Sequence, residues 1–316
     1  MVKNRLNLIV RVGISCLFGG YLAFKVDWTL LGTSFKKIDL SLYAASTLLT
    51  LALPVAVAYK YNLLIKGTTI ARSIFYLTKV NFISRFYALF LPSALGPEAV
   101  RWYKVTRNQE GRALFSAVTV FERLTFLFVL LLFGSIPLFF YASHSEIISL
   151  RVRIFPVVIV SLSLICICIS YFIFPVIRSF FTSVIERTIP SRWNSQKITS
   201  FLQHFSLNKP GPSLFTYIFA INLVWQMLFL SRLFVLFKAA SLPLGFVDVA
   251  WMGSLVLLLQ LLPISFAGIG VREAGYAYFF TLYSLHPEKG VLIGILFFSQ
   301  MLILASIGGL LEATEH

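Results

Sequence analysis

The chain has 316 residues, of which 58% are hydrophobic and 12% charged, with a formal net charge of +15. Apolar runs of spanning length recur, so an ordinary soluble domain is excluded and an all-α, polytopic helical membrane protein is expected. The alternating ten-residue strands of an outer-membrane barrel are absent. The basic excess falls mostly between the apolar runs, as the positive-inside rule and anionic lipid require, so no nucleic acid partner is expected.

In chain order, Lys3 and Arg5 precede an apolar run to Phe24. No small-residue cleavage site follows, so this reads as a retained first helix. Arg11 lies one or two turns inside and snorkels. A second helix is expected from about Leu40 to Tyr59, kinked at Pro54. Lys60, Lys66, Arg72 and Lys79 then form a basic flank.

The next stretch is broken. Phe82–Leu91 gives roughly 15 Å of helix at 1.5 Å per residue, half of a ~30 Å hydrocarbon core. Pro92 to Gly96 interrupts it. Pro97 suits a first helical position, Glu98 falls in the new first turn, and Arg101 follows one turn on. A half-helix N-terminus inside the membrane offers free N–H groups and a positive dipole end. Beside an arginine, it suits an anion such as phosphate. A proline-kinked spanning helix whose charges reach the surface is the plainer alternative.

Ala113–Ala142 reads as a tilted spanning helix carrying Glu122 and Arg123. Arg151 and Arg153 lead to a span over Ile154–Ile177. Residues 178–212 mix Phe180, Phe181, Trp193 and Phe205 with basic residues, which suits an interfacial segment. Leu214–Phe237 spans next. A second broken segment covers about 248–270, and Val271–Leu285 and Val291–Leu311 finish the chain. Pro263 to Arg272 repeats the nine-residue spacing of Pro92 to Arg101. Paired short segments interrupted by Gly and Pro, one in each half, point to a midplane site in a repeat-built transporter.

The expected architecture is one transmembrane domain of about seven spans and two re-entrant broken-helix segments. It forms an inverted repeat with halves 1–150 and 151–316. With the N-terminus in the cytoplasm, sixteen basic residues fall inside and five outside, which supports a multi-pass cell-membrane protein in that orientation.

Glu98, Arg101, Glu122, Arg123, Arg272 and Glu273 all lie in or beside apolar segments. Each charge at a helix centre costs roughly 2.5–3.5 kcal/mol on insertion scales, so they must face one another, water or a ligand. Glu122 and Arg123 lie ~100° apart on a helix, so each needs a separate partner. Arg123 or Arg101 is expected to pair with a glutamate of the opposite half. Buried ion pairs that fix helix packing are the alternative reading. Arg85 and Arg232 read as headgroup-facing arginines near helix ends. Cys16, Cys166 and Cys168 make no disulfide framework, the four histidines are scattered, and no cofactor, metal or catalytic residue is proposed.

At these residues a family pattern emerges. Asn81 through Leu91-Pro92, Gly96-Pro97-Glu98 and Arg101, then Phe121-Glu122-Arg123, then Pro263 and Gly268-Ile269-Gly270-Val271-Arg272-Glu273, together resemble the flippase-like family. That family includes the transmembrane region of lysylphosphatidylglycerol synthases, also called multiple peptide resistance factors. It also includes standalone relatives tied to lipid-linked sugar or hopanoid pathways. The resemblance covers about residues 5–312. It departs at Pro97, where the family often has a second glycine, and near Thr125, where it often has an aspartate. The large soluble aminoacyl-transfer domain of the synthases does not follow, so the resemblance implies the translocation part alone.

The sequence thus supports a flippase or transporter for a phosphate-bearing lipid, such as an aminoacylated phospholipid or a polyprenyl-phosphate-linked sugar. Its candidate substrate-binding set is Gly96, Glu98, Arg101, Glu122, Arg123, Gly268, Gly270, Arg272 and Glu273, with helix breaks at Pro92, Pro97 and Pro263. Arg101 and Arg272 are the expected phosphate contacts. Partners are membrane lipids with an anionic headgroup or lipid phosphate; a homodimer and a lipid-modifying enzyme partner are both compatible with this. No Gly-x-x-x-x-Gly-Lys-[Ser/Thr] loop is present, so no nucleotide drives transport. A membrane-embedded transferase on lipid phosphates and an accessory scaffold remain as alternatives.

Overall fold

The computed structural model describes residues 28–91, 96–107, 111–141, 158–159, 161–166, 212–261 and 268–314. Its main elements are nine helices: α1 (Trp28–Lys36), α2 (Leu40–Ile65), α3 (Ile74–Ala88), α4 (Gly96–Thr106), α5 (Arg112–Tyr141), α6 (Pro212–Ala239), α7 (Phe246–Leu261), α8 (Val271–Thr281) and α9 (Pro287–Ala313). No strand occurs among the described residues. The expected first span to Phe24, the span over 154–177 beyond its short described piece, nearly all of 178–212, and the breaks at Pro92 and Pro263 lie outside these residues.

Among the described residues, four helices are long and apolar enough to cross a membrane: Leu40–Ile65, Leu114–Leu138, Phe215–Ala239 and Pro287–Ala313, each of 25 to 27 residues. A spanning helix needs about 20. The segment expected over Val271–Leu285 is shorter than a span: α8 has 11 residues and turns at 282–284. That is about 16 Å, half a bilayer core. Its length equals that of α4, also 11 residues. Both segments that follow a break are therefore half-length. α3 and α7, with 15 and 16 residues, are also shorter than a span.

The helix starts follow local chemistry. Asp39 Oδ1 accepts from the Ser41 and Leu42 N–H groups at 2.9 and 3.1 Å, capping α2. Ser73 Oγ accepts from the Tyr76 N–H at 3.2 Å to cap α3. Pro287 occupies the first turn of α9, where no intrahelical N–H is needed. α2 continues to Ile65, past the expected end at Tyr59, and this draws Lys60 into the helix.

Packing follows a paired scheme. α2 lies along α6. α3 packs on α2, α4 and α9, while α7 packs on α6, α8 and α5. α4 meets α5, and α8 meets α9. Exchanging α2 with α6, α3 with α7, α4 with α8 and α5 with α9 maps every one of these pairings onto another. Small residues let the backbones approach. A Cβ on Gly308 of α9 would lie 2.1 Å from the Phe82 carbonyl oxygen of α3, and one on Gly290 would lie 2.4 Å from the Ala277 nitrogen of α8.

Candidate functional site

Two polar clusters lie within the helical core. The first is built by α2, α4, α5 and α6. Lys60, on the extension of α2, forms an ion pair with Glu122 of α5. Lys60 Nζ also donates to Asn222 Oδ1 of α6 at 2.7 Å, and Asn222 Nδ2 donates to Thr125 Oγ1 at 3.0 Å. Thr125, where the family often carries an aspartate nearby, thus has a hydroxyl tied into this network. Tyr61 OH reaches Glu122 Oε2 at 3.4 Å.

Arg101, on α4, is 5% exposed. Its Nε donates to Asn81 Oδ1 of α3 at 2.8 Å, and its guanidinium lies 4.6 Å from the Tyr61 ring centre. That arrangement uses one edge of the guanidinium and its face. Arg123 pairs with Glu98 at 3.1 Å. The expected cross-half pairing is therefore corrected: Arg123 finds its glutamate in its own half, because α4 folds back beside α5. The separate partners required of Glu122 and Arg123 are Lys60 and Glu98.

These residues line a cavity of about 130 Å³ that includes Lys60, Glu98, Arg101, Glu122 and Arg123, with Pro97 at its wall. One water needs roughly 10–15 Å³ on this measure, so the space holds more than a single solvent molecule. Glu98 Oε2 is buried without a hydrogen-bond partner. Gly96 begins α4 against Leu91, whose Cβ a side chain at this position would meet at 2.8 Å.

The second cluster is built by α2, α6, α8 and α9. Arg232 is 3% exposed. Its Nη1 donates to Thr50 Oγ1 at 3.3 Å and Gln300 Oε1 at 3.2 Å, and its guanidinium lies 4.0 Å from the Phe297 ring centre. Gln300 Nε2 donates to Ser46 Oγ at 2.9 Å, and that hydroxyl donates to the Arg232 carbonyl at 2.8 Å. The headgroup-facing reading of Arg232 is thus corrected: α6 turns this residue into the bundle.

Gly268 and Gly270 carry the positive φ values 75° and 83° that a side chain resists, and they form the turn that starts α8. Glu273 Oε2 accepts from the Gly270 N–H at 2.7 Å, and its Oε1 accepts from Arg272 Nε at 3.0 Å. Arg272 is fully buried, with its guanidinium 4.8 Å from the Phe297 ring centre. It lines neither of the two cavities described here.

The second cavity, also about 130 Å³, is lined by Thr50, Arg85, Trp225, Arg232 and Gln260 among apolar residues. It adjoins the first, and both share Arg85, Trp225 and Leu257. Arg85 thus sits where the cavities meet, and no hydrogen bond or ion pair reaches it among the described residues. Sequence reasoning missed Lys60, Asn222 and Trp225. No group of three metal-ligating side chains occurs among the described residues.

Helices of spanning length around charged cavities define a helical membrane protein. The pattern of the lysylphosphatidylglycerol synthase TM region matches residues 8–309, and the chain belongs to that family. No curated protein and no solved structure matches it.

Proposed function

We propose that the protein moves a phosphate-bearing lipid between membrane leaflets, as a transporter and not as an enzyme. The observation that carries this is the first cavity. It gathers four cations and two carboxylates inside a helical bundle, next to the start of a half-length helix. Six such charges in a lipid-embedded protein would be costly without a function that uses them. Membership of a lipid-related membrane family points the same way.

The finer architecture belongs to the same proposal. The paired packing scheme and the half-length pairs α3/α4 and α7/α8 support two re-entrant segments related as an inverted repeat. Around them we place about seven spans, in the cell membrane, with the N-terminus cytoplasmic. The lipid headgroup enters the cavities while its chains stay in the bilayer, and the halves open alternately. An aminoacylated phospholipid and a polyprenyl-phosphate-linked sugar both fit this chemistry.

The test is leaflet exchange in proteoliposomes. Fluorescent phosphatidylglycerol is placed in both leaflets, and the fraction protected from an external quencher is followed over time. Protein-containing vesicles should lose that protection, and Arg101→Gln should slow the loss about tenfold, as removal of a charge-assisted contact predicts. Protection equal to that of protein-free vesicles sinks the proposal.

A further inference from the structure

The two adjoining cavities differ in what they leave unsatisfied. The first contains both signs of charge, and beside the shared Trp225 its buried orphan is an acceptor, Glu98 Oε2. The second has no carboxylate among its described lining residues. Its buried orphans are both donors: the Nε–H of Arg232 and the indole N–H of Trp225. Arg85 adds a guanidinium that no hydrogen bond or ion pair reaches among the described residues. Arg232 has only neutral acceptors, Thr50 and Gln300, and the faces of Phe229 and Phe297.

Two guanidiniums beside one space that no carboxylate lines among its described residues are expensive in a low-dielectric interior, even with Glu98 near Arg85 in the neighbouring cavity. An occupant that repays this must be an anion with several acceptor oxygens. A guanidinium fork matches the oxygens of a phosphate. The rest of the lining, including Leu53, Phe229, Phe297 and Leu304, is hydrocarbon, which suits an anion attached to an apolar chain.

We propose that the second cavity is a phosphodiester subsite in which Arg85, Arg232 and Trp225 donate to the phosphate oxygens of an amphiphile. Arg85 is shared with the first cavity, so the same guanidinium stays on the phosphate as a headgroup passes from one space to the other. This rests on the lipid-transport reading and assigns its anion contact to residues outside the two family motifs.

The test titrates the full purified chain with phosphatidylglycerol, and separately with diacylglycerol of the same acyl chains, reading bound lipid by native mass spectrometry. Arg85→Gln should weaken phosphatidylglycerol binding about tenfold, the loss of one charge-assisted contact, while diacylglycerol binding stays within about twofold. Arg85→Lys should recover part of the loss, and Arg232→Gln should repeat it. No hydrogen bond or ion pair reaches Arg85 among the described residues, so Arg85→Gln should melt with the wild type, which keeps the result readable even if Arg232→Gln unfolds.

Unchanged phosphatidylglycerol binding in Arg85→Gln overturns the proposal, and so does an equal loss for diacylglycerol. Excess inorganic phosphate that displaces phosphatidylglycerol supports the subsite and names the free anion as its occupant; failure to displace supports the lipid. If the wild type moves no lipid yet Arg85→Gln shows the selective drop, only the transport reading fails. If the wild type transports and the drop is missing, only this subsite fails.

Discussion

The helices α2–α5 and α6–α9 pair in matching ways and carry different chemistry. In the first, α4 brings Arg101 and Glu98 beside Lys60, Glu122 and Arg123, and the charges border a cavity. In the second, α8 holds Arg272 against its own neighbour Glu273, away from both cavities, and Arg232 is met by Thr50 and Gln300. Equivalent places in a repeated framework therefore need not carry equivalent charge. The Arg272–Glu273 pair, closed away from both cavities, acts as structural support, whereas charges left on a cavity wall form a candidate site.

The largest expected effect breaks the first half. Glu122→Gln leaves Lys60 charged, buried and unpaired, which should cost about 3–5 kcal/mol. Thermal unfolding in detergent would show it as a loss of folded, monodisperse protein. Lys60→Met/Glu122→Leu should recover much of that stability, since replacing both partners by apolar groups removes the stranded charge. A double variant no better than the single one would contradict the pairing.

A second test compares mated interfaces. Gly308 sits where α9 meets α3, and Gly134 sits where α5 meets α7. A methyl at Gly308 would press on backbone, whereas one at Gly134 would meet the Ser254 side chain at 3.4 Å, an ordinary contact. Gly308→Ala should cost about 1–3 kcal/mol through overpacking. Gly134→Ala should be neutral or slightly stabilising, because alanine is the better helix former by about 1 kcal/mol. Equal melting temperatures for the two variants would remove this asymmetry.

The smallest effect concerns the Arg123–Glu98 pair, whose side chains are 24% and 20% exposed. Arg123→Gln should change stability by about 1 kcal/mol or less. A loss comparable with that of Glu122→Gln would place this pair in a drier setting than its exposure indicates.

Much of this was legible from residue order. Spacing exposed the two interrupted segments, and charges inside apolar runs flagged Glu122, Arg123, Arg101 and Arg272. The rule that adjacent helical residues face apart required separate partners for Glu122 and Arg123. What stayed hidden is rotation. Depth along a helix can be counted from its ends, but the face that turns inward depends on neighbours. Arg85 and Arg232 therefore looked like headgroup ligands. Lys60 was hidden differently: it begins a basic stretch, and only continuation of α2 to Ile65 places it against Glu122. That the Arg123 partner lies in the same half depends on how α4 returns to α5, a tertiary fact with no local signal.

α9 makes contacts at both ends that bear on motion. Near its start, Gly290 rests against the backbone of α8; near its end, Gly308 rests against α3. Glu312 then accepts from Tyr87 OH at 3.0 Å and pairs with Lys104, on either side of the first break. A 27-residue helix is about 40 Å long and stiff. It touches α3, α4 and α8 along its length, so a rigid-body tilt of α9 would disturb all three.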